Sequence, residues 1–250
     1  MSATKSIIGF ILAIVAGLLI VLSLIIVSPI YALIFFMGGK SADQVAHGLS
    51  RIWAWYVLFC SGTRLKVHGI NHIKSTETYI FISNHRSYLD IPVCARATKN
   101  IFKFLAKNEL GKILLLGYII RKLYITVRRD SMRDRVLSLK KMEGELTKGI
   151  SVWLYPEGTR NTTDQPVTEF YDGAFTLAFS TGKPLAVCTI FDTAKILRPG
   201  KLFQLFPGKV EVWWEQPIET KGMKKKDVIL LKEQVRNMMI NRIKVLDVKQ

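Results

Sequence analysis

Tyr79-Ile80-Phe81-Ile82-Ser83-Asn84-His85-Arg86-Ser87-Tyr88-Leu89-Asp90 is the stretch on which the reading of this chain turns. It opens as a short apolar run of aromatic and β-branched residues, the composition of a buried strand. It then breaks into polar residues before an apolar, helix-like segment near Leu89–Ala97. His85 therefore falls just past a strand end, where open α/β sheets place their sites. Asp90 follows five residues later, and positions i and i+5 do not share one face of a continuous helix. His85 must sit in the turn, with Asp90 on the following helix, if the two are to meet. A carboxylate bonded to one imidazole nitrogen sets the tautomer and leaves the other nitrogen to take a proton from a hydroxyl. The competing reading is an ordinary strand–helix turn in which Asp90 caps the helix.

Outward from that stretch, strand-like and helix-like runs alternate. Strands are expected at Leu65–His68, Tyr79–Ser83, Phe102–Leu105, Leu123–Val127, Ser151–Tyr155, Leu185–Ile190 and Val210–Trp214. Helices are expected near Leu89–Ala97, Glu109–Arg121, Arg133–Lys148 and Gly173–Ser180. This alternation predicts an α/β fold, a mixed, largely parallel sheet covered by helices. Asp227–Leu246 carries apolar residues at helical spacing and reads either as a helix packed on the domain or as a membrane-surface helix.

Ile7 to Met37 is almost wholly apolar and without charge. A bilayer core needs about 20 helical residues, so the run is long enough to span it, and too long for a signal peptide. Pro29 is expected to kink or end the first helix, leaving Ile30–Met37 to continue a tilted span or to turn back. The expected organisation is an N-terminal membrane-anchoring helical segment with its interfacial stretch over 1–60, then a catalytic domain over 61–250. Trp53, Trp55 and Tyr56 suit an interfacial belt. Ile113 to Ile120, flanked by Lys112 and Arg121-Lys122, reads as a buried core helix or as a segment that dips into the interface or lines an acyl tunnel.

Among the 250 residues are 36 Lys and Arg against 19 Asp and Glu, a net charge of +17, which calls for a polyanionic partner. Nucleic acid, an anionic bilayer surface and an anionic small substrate all fit that charge, and the apolar N-terminus favours the bilayer. No Walker loop, zinc-finger spacing or ribonucleoprotein-type aromatic motif is present. The basic excess after the apolar run places the domain on the cytoplasmic face. Cys60, Cys94 and Cys188 form no disulfide or zinc pattern, and His47, His68 and His72 make no metal cluster.

A second constellation follows another apolar strand: Tyr155-Pro156-Glu157-Gly158-Thr159-Arg160. Gly158 permits a tight turn, Thr159 offers a hydroxyl and Arg160 a planar fork suited to phosphate oxygens. Glu157 can hold Arg160 or receive a substrate hydroxyl. Taken alone, this is also what a surface turn with a local ion pair looks like.

The two constellations together resemble the 1-acyl-glycerol-3-phosphate acyltransferase family. Asn84-His85 to Asp90 is similar to its first block and Tyr155 to Arg160 to its third, with Tyr155 where Phe is commoner. Ala106-Lys107-Asn108-Glu109-Leu110 resembles the approach to the second block, and Gly173–Ala178 with Lys183–Val187 the fourth. In the second block Arg129 takes the family's Arg, which leaves Arg128 at the usual Asp; Val187 replaces a second Pro in the fourth. The resemblance implies that His85 is the general base and Asp90 orients it. The acceptor hydroxyl then attacks the thioester of acyl-CoA or acyl-acyl carrier protein directly. It implies substrate binding by Asn84, Lys107, Arg129, Glu157, Gly158, Thr159 and Arg160. No metal or bound cofactor is implied. The partners are a lysophospholipid acceptor, the acyl donor and anionic membrane lipid. A lysophospholipid with another headgroup, or a lyso-aminolipid, is the alternative acceptor. A hydrolase would need a nucleophile, and no Gly-x-Ser-x-Gly elbow is found, although Ser83 and Ser87 flank His85.

Overall fold

The computed structural model describes residues 3–128, 131–197 and 204–248. In chain order the elements are α1 Ala3–Met37, α2 Gly39–Cys60, β1 Thr63–His68, β2 Ile80–Ser83, α3 Asp90–Ala97, β3 Phe102–Lys107, α4 Leu116–Leu123, β4 Ile125–Val127, α5 Met132–Thr147, β5 Ser151–Leu154, α6 Gly173–Thr181, β6 Leu185–Phe191, α7 Thr193–Ile196, β7 Gly208–Trp214 and α8 Asp227–Val248. Short 3-10 turns occupy Ile70–His72 and Asn108–Lys112. The strands are hydrogen-bonded in the order β1-β7-β6-β2-β5-β3-β4. β2 pairs in parallel with β5 and β6, and β3 with β4 and β5. Strand and helix alternate as the sequence predicts, and the sheet is mixed and mostly parallel.

Two compact units emerge: Met1–His68 with Arg86–Thr98 and Ile190–Val212, and Gly69–His85 with Lys99–Thr189 and Trp213–Gln250. The expected anchor, 1–60, falls wholly within the first unit. α2 packs there on α3 and on β1, so the N-terminal helices are grouped with segments from further along the chain.

In the first unit, α1 runs unbroken for 35 residues, about 52 Å at 1.5 Å per residue. Pro29 lies inside it and does not end it, so of the two expected courses Ile30–Met37 continues the helix. A proline removes one backbone bond, and the long helical stretches on either side carry the helix through; the Ser28 hydroxyl bonds the Leu24 carbonyl in the turn before it. The reversal comes instead at Gly38 and Gly39, at φ +66° and +75°. α2, which sequence reasoning did not assign as a helix, then runs back along α1. Tyr31 meets Ser50 (2.7 Å), Trp53 donates to Ser23 (2.9 Å) and Tyr56 to the Leu19 carbonyl (3.3 Å), an antiparallel ladder. Among the described residues α1 is the one helix long and apolar enough to cross a membrane.

In the second unit, β2 and β5 are buried along their whole length, as parallel strands covered on both faces must be. Phe81, Phe102, Trp153 and Trp214 form an aromatic core, with ring centroids 5.0–6.2 Å apart around Trp153 and Phe81. α8 buries Leu231, Val235, Met239, Ile243 and Leu246, one stripe of an amphipathic helix. Lys232 ties it to Asp172 at 2.6 Å. Of the two readings of this segment, the packed helix holds.

The expected helix over Glu109–Arg121 is broken in two. Leu115 takes φ +64°, a conformation a leucine rarely adopts, between the 3-10 turn and α4. Ile113, Leu114 and Leu115 stay exposed, Leu114 by 86%, while Ile119 and Ile120 are buried. The apolar run therefore divides between surface and core. α4 also takes Leu123 from the predicted strand, which begins at Ile125.

Candidate active site

The site begins where β2 and β5 end side by side. Their register pairs Phe81 with Trp153 and Ile82 with Leu154, so the segments that follow leave the sheet at the same level. Trp153 Nε1 donates to Ser83 Oγ at 2.9 Å inside the core, which locks the last residue of β2. Asn84 is buried, and His85 is half-buried in the turn.

His85 is held through its own peptide groups. Its N–H donates to Glu157 Oε1 at 2.8 Å, and its carbonyl accepts the Asn161 N–H at 2.7 Å. Glu157 is buried, 2% exposed, and its other oxygen accepts the Thr168 N–H (2.8 Å) and hydroxyl (2.9 Å). A carboxylate buried among three donors stays solvated by the protein. The structure thus gives Glu157 a partner that sequence reasoning did not assign: the backbone of the histidine 72 residues earlier. The turn that aims Glu157 requires Gly158, at φ +68°, whose N–H donates to the Tyr155 carbonyl at 2.9 Å. A Cβ there would stand 2.7 Å from the Tyr171 ring, which is held nearby by its own N–H on the Pro156 carbonyl.

The imidazole of His85 lies flat on the ring of Tyr155, with centroids 4.0 Å apart and planes at 15°. Phe104 stacks on Tyr155 in turn, at 5.9 Å and 11°.

Five residues beyond His85, Asp90 opens α3 and is 1% exposed. Its Oδ2 accepts the N–H groups of Arg86 (2.7 Å) and Ser87 (2.8 Å), and its Oδ1 the Thr193 hydroxyl (2.6 Å). Asp90 therefore shapes the turn that follows His85, and it does not cap α3 as the competing reading expected: Leu89 is the N-cap and Asp90 the first helical residue. A carboxylate has about four lone-pair sites, so three donors do not exhaust it. Ser87 donates to the Leu197 carbonyl at 2.9 Å.

The remaining expected residues are spread wider. Thr159 is exposed and Arg160 half-buried just past the Gly158 turn. Lys107 ends β3 and pairs with Glu109 at 3.6 Å, both side chains more than half exposed. Arg129 lies outside the described residues. Arg128 before it is exposed and bonds Asp134 at 2.6 Å, which holds the Asp134 carboxyl below its ordinary value. Around that pair a cavity of about 210 Å³ is lined by Asn108, Thr126, Ser138 and Lys141 among others, with neither His85 nor Arg160 in its wall.

Sequence reasoning missed Asn161, Thr168 and Thr193. Asn161 carried a signal, being an Asn two residues before a Thr in a polar loop; it accepts the Thr163 N–H at 2.9 Å, an Asx turn. Thr168 and Thr193 had none, because their partners are 11 and 103 residues away. Among the described residues no group of three or more His, Cys, Asp or Glu could hold a metal ion.

A half-buried histidine at the end of one parallel strand, its backbone held by the Glu-Gly-Thr-Arg turn at the end of the next, is a constellation with known relatives. The sequence pattern of the Acyltransferase family matches residues 64–191, and the chain belongs to that family. The chloroplastic 1-acyl-sn-glycerol-3-phosphate acyltransferase LPAT1 of Arabidopsis thaliana is 32% identical over 174 residues, 69% of this chain and 48% of its own length. The 1-acyl-sn-glycerol-3-phosphate acyltransferase alpha of Homo sapiens is 26% identical over 205 residues, 81% of this chain and 71% of its own. The chain thus spans about half the length of the Arabidopsis relative. The crystal structure of the 1-acyl-sn-glycerophosphate (LPA) acyltransferase PlsC from Thermotoga maritima shares the fold, with a TM-score of 0.84 over 97% of this chain and 98% of that one at 21% identity.

Proposed function

We propose that the protein transfers a fatty acyl group from acyl-CoA or acyl-acyl carrier protein to the free sn-2 hydroxyl of 1-acyl-glycerol-3-phosphate, yielding phosphatidic acid. His85 takes the hydroxyl proton as the oxygen attacks the thioester carbonyl. The C–O bond forms, the C–S bond breaks, and His85 returns the proton to the departing thiolate. Asp90 orients the imidazole and stabilises the imidazolium. Arg160, with Lys107, Arg129 and Thr159, receives the acceptor phosphate, and the Gly158 turn brings backbone close to it; Asn84 contributes to acceptor binding. Glu157 works through His85, by setting its backbone. The relatives named above carry this activity in their names.

The observation that supports this reading most is the 2.8 Å bond from the His85 N–H to Glu157. It ties the base to the phosphate-binding turn, and a base and an acceptor held in one frame are what direct transfer to a bound hydroxyl requires. α1 serves as the membrane anchor, and the +17 charge favours a cytoplasmic domain against anionic lipid. The exposed Ile113-Leu114-Leu115, beside Lys112, suits that apposition.

The test is acyl transfer by the detergent-solubilised full chain, with labelled acyl-CoA and acyl-acyl carrier protein, on lysophosphatidate and a panel of other lysolipids. Phosphatidate as the main product is expected. Transfer only to a different headgroup would move the acceptor assignment to another lysophospholipid or a lyso-aminolipid. Absence of transfer to every acceptor by the folded protein would overturn the reading.

A further inference from the structure

We infer that Tyr155 is a positioning residue for His85, its ring serving as the platform that fixes the imidazole plane and stabilises it as it becomes imidazolium. The inference rests on His85 being the general base. Backbone bonds to Glu157 and Asn161 fix where the histidine starts, but they leave rotation about its two side-chain torsions open. The stack closes that freedom: at 4.0 Å and 15° the imidazole can turn about χ2 only by leaving the Tyr155 face. Tyr155 is itself fixed. Its backbone carbonyl receives the Gly158 N–H, and its ring also stacks with Phe104, nearly parallel at 11°. Phe104 is buried and in turn touches Tyr124 and Trp153. A column of rings thus runs from the aromatic core out to the base.

The chemistry favours an electron-rich ring at this place. During acyl transfer the imidazole accepts a proton, and a cation over an aromatic face is attracted by the ring quadrupole. The attraction is greater for the imidazolium than for neutral imidazole, so it grows along the reaction, as a contact must if it is to speed the chemical step. The phenol hydroxyl has no part in this; the ring face does the work. Other titratable groups close in the chain or bonded to the same backbone are Glu157, occupied by the His85 and Thr168 amides, and Arg86 and Asp90 on the same turn.

The experiment compares Tyr155→Phe, Tyr155→Leu and His85→Ala in the full chain in detergent, with thermal unfolding as a control. Tyr155→Phe keeps the ring and is expected within about twofold of the parent. Tyr155→Leu is expected to lose roughly tenfold in kcat with KM for acceptor and donor little changed, since only transition-state stabilisation is removed. The acid limb of its kcat/KM profile should also move to lower pH by about half a unit, because the protonated base has lost a favourable partner. If Tyr155→Leu remains folded and shows parental kcat and an unmoved acid limb, the platform role is overturned. So it is if Tyr155→Phe is as impaired as Tyr155→Leu, because the hydroxyl would then be the active group. His85→Ala separates the two layers of the argument: if it keeps near-parental transfer, the general-base reading itself falls; if it is inactive while Tyr155→Leu is normal, only Tyr155 is misassigned. Should Tyr155→Leu fail to fold, Tyr155→Met, which fills similar volume without a ring, replaces it with the same expected outcomes.

Discussion

The ends of β2 and β5 and the stretch from Lys107 to Arg128 lie in the same unit, carry polar residues expected to bind substrate, and are built in opposite ways. At the first, the polar groups are buried and bonded to backbone: Glu157 to the His85 and Thr168 amides, Asn161 to the His85 carbonyl, Trp153 to Ser83. At the second, ion pairs lie on the surface, apolar side chains face outward and Leu115 takes a strained backbone conformation. A reacting base must be within fractions of an ångström of its target, whereas a group that attracts a phosphate works at longer range and tolerates motion. The contrast therefore sets a buried, fully bonded frame around the proposed base against an exposed margin that holds Lys107, a proposed phosphate-binding residue.

The largest expected effect breaks the first region at its centre. His85→Ala should lower acyl transfer by about 10²–10⁴-fold with thermal unfolding and membrane association unchanged, read by single-turnover assay. Next, Glu157→Ala strips an acceptor from three buried donors and should destabilise by about 3 kcal/mol, with a large fall in kcat. Glu157→Gln should recover little, since an amide NH₂ faces a donor wherever it is turned. Near-parental stability of Glu157→Ala would show that the clamp is not what holds the turn.

Binding variants sharpen the contrast. Arg160→Ala and Lys107→Ala should raise KM for a phosphate-bearing acceptor, Arg160→Ala by the greater factor, and leave kcat much closer to parental. The Lys107–Glu109 pair is exposed, so Lys107→Ala should cost less than about 1 kcal/mol of stability. An unchanged KM in Arg160→Ala would remove that residue from the phosphate site.

The smallest expected effect concerns pH. Burial pushes the Glu145 carboxyl up, but Lys103 and Lys148, each 3.1 Å away, outweigh it and hold the group below its ordinary value. A depressed carboxyl stabilises the folded state fully above its unfolded value of about 4.3, and that contribution is lost as pH falls through the lower folded value. Glu145→Gln should accordingly flatten the fall in Tm below about pH 4.3 while changing the reaction centre little. An acid slope identical to the parent's would exclude the Lys103–Glu145 pair as its source.

Much of the fold was legible in the chain because its signals are local. Ile80–Ile82, Val152–Leu154 and Leu185–Cys188 are continuous apolar runs, and such runs mark strands buried on both faces. The α8 stripe was legible for the same reason, as a period. α2 was hidden because its apolar residues are interrupted by Asp43, His47 and Arg51, and its helix is secured by bonds to α1 rather than by its own pattern. Pro29 left the course of the helix open because a breaker rule for an isolated helix does not weigh 35 residues of helical context. At the site, His85, Asp90 and the Glu157–Arg160 turn stood out by residue type and spacing, while the role of Glu157 did not.

By itself, then, the sequence determined the alternation of strand and helix, the apolar N-terminal helix, the positive charge and the two polar turns at strand ends, since each is written in composition or short-range periodicity. The tertiary structure decided which groups those turns hold: Glu157 on the His85 backbone across 72 residues, Thr193 on Asp90 across 103, and the ring of Tyr155 beneath the imidazole. The reason is that a parallel sheet brings strands together only after long crossovers, so the partners that complete a site at its edge are set by strand order and register, which no local pattern encodes.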